Sequence, residues 1–234
     1  SSDLITQTNS FGVNYTDNWG KKIKVSGSYF FNFSDNTNNT TLTRNYYSNS
    51  DSVLYYNETN EAKTRNINHR FNFRLEYTID SVNAMVINSK FTSQFTDYTK
   101  HLEGGNFSME NTPMSVIATD NASKNLGYSF TNGITYRHRF RKPSRTLTFD
   151  LNGTYNPLTG NGSYYSLNQY TNDTTLLNQT SNLNSRTYSV TGSVAWTEPA
   201  GKKASFFLTT LRRWQKAKWT RRQMILISPE MILH

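Results

Sequence analysis

The chain has 234 residues and a formal net charge of +9; 35% of its residues are hydrophobic, 14% aromatic and 18% charged. It has no cysteine, which excludes disulfide scaffolds and thiolate metal sites, and it has no run of about 18 apolar residues to form a transmembrane helix. Its aromatic content argues against full disorder and leaves open a transmembrane β-barrel, whose alternating strands lower the mean hydropathy.

In chain order the sequence repeats with period two. A short first segment carries Phe11, Val13 and Tyr15 on one side. The next puts Ile23, Val25, Gly27, Tyr29, Phe31 and Phe33 on one face, with Lys24, Ser26, Ser28, Phe30 and Asn32 between them. The third is the cleanest: Ile67, His69, Phe71, Phe73, Leu75, Tyr77 and Ile79 alternate with Asn68, Arg70, Asn72, Arg74, Glu76 and Thr78. Met85 to Phe95, Leu126 to Tyr136, Leu147 to Tyr155 and Tyr188 to Trp196 repeat the rule. An eighth begins near Lys203 and loses its alternation after about Thr210. Strict alternation means a strand with one apolar face. The prediction is all-β: an antiparallel up-and-down meander of about eight strands, each roughly 9–14 residues, against 5–6 in most soluble sheets.

The connections alternate in length. Residues 17–22, 80–83, 141–145 and 198–202 are short and rich in turn formers. Residues 35–64, 97–124 and 156–185 are long, polar and Asn/Ser/Thr/Tyr-rich. Short turns on one side and long loops on the other are the plan of an outer-membrane barrel. Tyr15, Tyr77, Tyr136 and Trp196 are expected as an aromatic girdle near the turns, and Phe33, Phe95, Tyr128, Tyr155 and Tyr188 near the loops. The lipid-facing set is then Tyr29, Phe31, Phe71, Phe73, Leu75, Tyr77, Phe91, Phe130, Ile134, Tyr136, Phe149, Leu151, Val190, Val194 and Trp196. The lumen-facing cations are Arg70, Arg74, Lys90, Arg137 and Arg139, with Lys24, Glu76, Asp150 and Arg186 expected on the same side.

The stretches GVNYTDNWGKKIKVSGSYFFNFSDN, NHRFNFRLEYTIDSVN, YRHRFRKPSRTLTFDLNGTYN and WTEPAGKK give residues 12–201 a family likeness. They resemble outer-membrane β-barrel proteins of Bacteroidetes-type bacteria that are related to TonB-dependent receptors. The resemblance implies a parent barrel of about 22 strands, filled by a plug domain and seated in the bacterial outer membrane. It implies energy-coupled import of a bulky ligand by that parent. The chain is expected to be a fragment, residues 1–210 supplying about eight strands. Its partners are then outer-membrane lipid, the missing plug and rest of the barrel, and an unknown extracellular ligand, with no nucleic acid. The alternative is a surface or soluble β-sheet protein that binds glycans through its Tyr/Asn-rich loops. A third, remote reading is a small outer-membrane enzyme.

Residues 211–234 read as an aberrant basic tail, with six cations against one acid. Three readings stand: an interfacial amphipathic helix carrying Trp214 and Trp219, a nucleic-acid-binding tail, or the product of a slipped reading frame. In the frame starting at each third base, Trp214–Gln215 is forced to Ala. Trp219–Thr220, Met224–Ile225 and Met231–Ile232 are forced to Asp, which suits a continuing polar strand. Termination at His234, rather than at the aromatic residue that usually closes such barrels, is a further expected sign of truncation.

No catalytic motif appears, so no enzyme activity, cofactor or metal is expected. His69, His101, His138 and His234 lack metal-ligand spacing. Asp97, His101 and Glu103 gather at one loop base and are expected to be solvated. Tyr46, Tyr47, Tyr55, Tyr56, Tyr164, Tyr165 and Tyr170 are the candidate ligand-binding residues, because Tyr among Asn and Ser suits adaptable contact.

Overall fold

The computed structural model describes residues 1–46, 54–108, 110–171, 173–199 and 205–226. The regular elements among them are strands alone: β1 Ser2–Trp19, β2 Ile23–Tyr46, β3 Leu54–Thr78, β4 Asn83–Phe107, β5 Pro113–Arg139, β6 Thr146–Tyr170, β7 Asp173–Pro199 and β8 Ser205–Leu226. They form one antiparallel meander in the order β1-β2-β3-β4-β5-β6-β7-β8. The sheet is open, with β1 and β8 as its edges.

Each short turn has a chemical cause. Gly20 takes a φ of 71° between β1 and β2, a region open to glycine without a Cβ clash. Between β3 and β4, Asp80 Oδ1 accepts from the backbone N–H of Val82 and of Asn83, both at 2.8 Å. Between β5 and β6, the backbone closes Phe140 on Arg145 at 3.1 Å. Glu198 of β7 then clamps this turn, accepting from Arg145 at 2.7 and 2.8 Å and from Lys142 at 2.6 Å. The Arg145 hydrogen bonds, then that of Lys142, pull the Glu198 carboxyl down to about 2.

The strands run far past the apolar alternation. The segments 35–64, 97–124 and 156–185, expected as irregular loops, are instead the outer arms of three hairpins, so β2 to β7 have 24 to 27 residues. In those arms both faces are polar, so period two vanishes from the hydropathy while the backbone ladder continues. Cross-strand polar pairs carry the pairing instead: Thr96 donates to Asn66 at 2.9 Å, and Thr119 meets Ser166 at 3.3 Å. Such pairs contribute a few tenths to about 1 kcal/mol each.

β8 is a second difference. It continues past Thr210 to Leu226, paired with β7 down to Asn178. The helix reading of the tail therefore fails over 211–226. The free edge of β7 offers unpaired N–H and C=O groups, which accept a strand whatever its side-chain pattern.

The register sorts the side chains into rows across the sheet. On one face, the first row that runs from β1 to β7 near the short turns is Trp19, Ile23, Tyr77, Met85, Tyr136, Phe149 and Val194. Three rows further out lies an almost unbroken aromatic one: Tyr29, Phe71, Phe91, Phe130, Tyr155 and Tyr188 on β2 to β7. Phe33, Ile67, Phe95 and Leu126 close the band. From first row to last it spans ten residues of strand, from Ile23 to Phe33. That is about 33 Å along the strand, or about 25 Å in height at the tilt of a membrane barrel.

All fifteen residues of the expected lipid-facing set share this face. The girdle differs from the expectation at both ends. Tyr155 and Tyr188, expected near the loops, stand in the row of Phe71 and Phe91, two rows inside Phe33 and Phe95, and Tyr128 stands one row inside them. Trp19, not Tyr15, stands in the row of Tyr77 and Tyr136, while Tyr15 is two rows further out beside Gly27. Trp196 lies one row nearer the turns, opposite Leu147. Arg186 also moves: it is two residues from Tyr188 on the same strand, so it shares the apolar face, not the polar one.

Among the described residues no second layer covers the sheet. Val25 is the one buried apolar side chain among the described residues. Phe71 and Phe130 are each 44% exposed and Leu151 is 51% exposed.

Candidate functional site

The apolar band ends abruptly in charge. The next row outward is Asp35, Arg65, Asp97 and Lys124 on β2 to β5, alternating in sign from strand to strand. Arg65 reaches Asp35 at 3.0 Å and Lys124 reaches Asp97 at 3.2 Å. All four are on the same face as the band, so the change of chemistry falls within a single strand step.

Two rows beyond, His101 bridges two carboxylates. Its Nδ1 lies 2.6 Å from Asp120 and its Nε2 3.2 Å from Glu103. Glu61 and its partner Lys63, 2.5 Å apart, face it from β3. His101, Asp120, Glu61 and Lys63, with Ser163 and Tyr165, line an open groove of about 300 Å³. Of the three residues expected to be solvated at this loop base, His101 and Glu103 are exposed and bridged to each other, while Asp97 pairs with Lys124. Asp120 was hidden because residues 97–124 look like a loop. The register that sets Met85 against Tyr136 sets His101 against Asp120 once the pairing is continued.

The Asp120 hydrogen bond, then that of Glu103, raises the His101 pKa above its usual value. A raised folded-state pKa stabilises most below the unfolded value of about 6.5, and that stabilisation is lost as pH rises through the folded value. Amide exchange at the outer arms of β4 and β5 is therefore expected to quicken between neutral and alkaline pH beyond its intrinsic base catalysis. His101→Gln is expected to remove that extra dependence; an unchanged pH profile in the variant would refute the bridge.

The candidate tyrosines do not form one site. Tyr46, Tyr56, Tyr164 and Tyr170 belong to the polar face, and Tyr55 and Tyr165 to the apolar face. Tyr47 lies outside the described residues. Tyr55 stacks on Phe107 with ring centres 5.3 Å apart and donates its hydroxyl to Asn111. Tyr56 donates to Glu58 at 2.7 Å; burial first, and then that carboxylate, push its pKa up to about 12. Tyr165 is the one that joins the His101 groove. A larger open groove of about 900 Å³ crosses the outer arms of β5 to β8, with Lys124 and Arg222 among its walls and Asn161 and Asn182 between them.

Histidines nearer the band are satisfied locally. His69 Nδ1 meets the Tyr29 hydroxyl at 2.8 Å, and His138 Nδ1 meets Asn83 Oδ1 at 2.7 Å. His234 lies outside the described residues. Among the described residues no group of three or more His, Cys, Asp or Glu is arranged to hold a metal.

The polar face carries the cations expected there. Arg70, Arg74, Lys90, Arg137 and Arg139 are exposed on it, with Lys24. Arg74 donates to Glu76 and to Asn88, both at 2.9 Å. Asp150 is held by hydroxyls instead, accepting from Thr135 at 2.6 Å and Ser193 at 3.4 Å. Asn14, Ser28, Asn72, Arg74 and Lys90 line an open groove of about 390 Å³ over β1 to β4.

No family model matches the chain, and no curated protein matches it. Solved structures similar to it include the siderophore receptor PiuA from Acinetobacter baumannii, with a TM-score of 0.32 and 8% identity over 98% of this chain and 47% of that one. BauA, the ferric preacinetobactin receptor of the same organism, gives a TM-score of 0.29 and 10% identity over 97% and 45%. The RagAB peptide importer gives 0.24 and 6% over 94% and 37%. The chain spans less than half the length of each of these proteins.

Proposed function

We propose that the chain is a barrel segment of an outer-membrane protein of the TonB-dependent-receptor-like kind, whose intact form binds a bulky ligand outside and imports it. One observation carries the reading. An apolar band about 25 Å tall runs across a single-layer sheet on which none of the described residues packs. A soluble sheet buries such a face under a second layer; lipid is the other solvent that satisfies it. The outer row of alternating charges supports a water boundary at that level, and both open edges suit further strands of a larger barrel. The ligand stays unassigned, because the candidate tyrosines are divided between the two faces.

Vesicle flotation tests this. The purified chain, refolded with neutral phosphatidylcholine vesicles, is expected to float with them and to resist extraction by high salt. A monomeric chain that stays in the aqueous layer without detergent would overturn the reading, since its aromatic rows would then face water.

A further inference from the structure

The cations of the polar face form a track. In successive register rows from the outer limit of the band towards the turns stand Arg70 on β3, Lys90 on β4, Arg74 on β3 and Lys24 on β2. Arg137 and Arg139 on β5 continue towards the turn end. Rows are about 7 Å apart along the strand and strands about 4.8 Å apart across it, so the Cα positions of the first four follow one another at about 8 Å. That is also about one Debye length in physiological salt, so the potentials of neighbouring sites overlap.

These cations lack the compensation found on the other face. Beyond the apolar band, Arg65, Lys63 and Lys124 each have a carboxylate within hydrogen-bonding distance. On the polar face, only Arg74 makes an ion pair among the described residues. Lys24 stands opposite Glu76 in the register, but that carboxylate is taken by Arg74. Arg70, Lys90, Arg137 and Arg139 are exposed with no acid bound to them. Asp150, the other acid at this level, stands on β6 one row from Arg137 and accepts from the hydroxyls of Thr135 and Ser193.

We infer that the polar face is a guide for anionic ligands, binding phosphate or carboxylate groups in turn at Arg70, Lys90 and Arg74 and passing them towards Lys24 and Arg137. Guanidinium groups take two oxygens of such an anion in a fork, and ammonium groups take it as a point charge. Asn72, Ser28 and Asn14, in the groove between the cations, supply neutral hydrogen bonds that hold an anion without trapping it. A low-dielectric wall behind the track strengthens its field. The inference rests on the barrel reading, because this face lines a lumen only if the opposite face meets lipid.

The test uses inorganic tripolyphosphate as the probe and the full chain in neutral phosphatidylcholine vesicles, with titration calorimetry and flotation on the same preparations. The unmodified chain is expected to bind tripolyphosphate, and more weakly as salt rises. The triple substitution Arg70→Gln, Lys90→Gln and Arg137→Gln is expected to weaken binding by at least about tenfold. The control pair Lys63→Gln and Arg65→Gln, on the other face, is expected to leave it within about twofold. Far-UV spectra establish that each variant has kept its strands, and the single substitutions, each expected to give a partial loss, stand in if the triple variant does not fold. No binding by the unmodified chain, or an equal loss in both sets, would overturn the anion track. A chain that fails to float but loses binding only in the triple variant keeps the row as an anion-binding surface and removes the barrel reading together with the guiding role that rests on it.

Discussion

Arginine placed at Phe73 or Phe91 is expected to cost the lipid-inserted sheet about 2–4 kcal/mol, whereas arginine at Asn152 costs well under 1. Phe73 and Phe91 lie in the two central rows of the band, and Asn152 faces the other way between Gly133 and Thr191. A charge in the middle of the hydrocarbon must shed its hydration or drag water inward. The same charge on the polar face keeps its water and gains Asp150 two residues along its own face. Urea unfolding from vesicles, followed by tryptophan fluorescence, reads the difference. Equal costs on the two faces would mean that neither meets lipid.

The second large effect has the opposite sign. The pairing of β8 puts Arg212 in the row of Val25, Leu75, Ile87, Ile134 and Leu151, and Lys216 opposite Tyr188 in the aromatic row. Lys218 and Arg222 follow on the same side, while Leu211 faces Ser193 on the polar side. Replacing Arg212 by Leu is therefore expected to stabilise the inserted sheet by about 2–4 kcal/mol, and Lys216→Leu by a similar amount. No gain from either would show that β8 is not seated in lipid beside β7. Four cations of β8, Arg212, Lys216, Lys218 and Arg222, thus share the face that the strands before it fill with apolar side chains.

The architecture was legible where the two faces differ in chemistry. Along Ile67 to Ile79 every other residue is apolar, and the alternation alone gives the strand, its face and its neighbours. It fell silent where both faces are polar. Thr59, Asn60, Glu61 and Lys63 offer no hydropathy contrast, yet they pair with β2 and β4 without interruption. What holds them is the backbone ladder, which leaves no mark on composition. The cost of missing it was Asp120, the principal partner of His101, and the charge row that ends the band. The cation positions were readable because they interleave with the clean alternation of β3. Their arrangement as a track was not, since it depends on the offset of β4 against β3.

The register itself has a consequence for how such a chain can change length. Between β2 and β7 the one register shift lies at Asn106/Phe107, in the outermost part of the hairpin. Everywhere inside it, one inserted residue would turn every later side chain of that strand to the opposite side, putting arginines into lipid and phenylalanines into water. Insertions and deletions in descendants of this sequence should therefore gather at the outer hairpin tips, where a lengthened turn disturbs no row. The strands across the band should keep their length while everything outside them drifts.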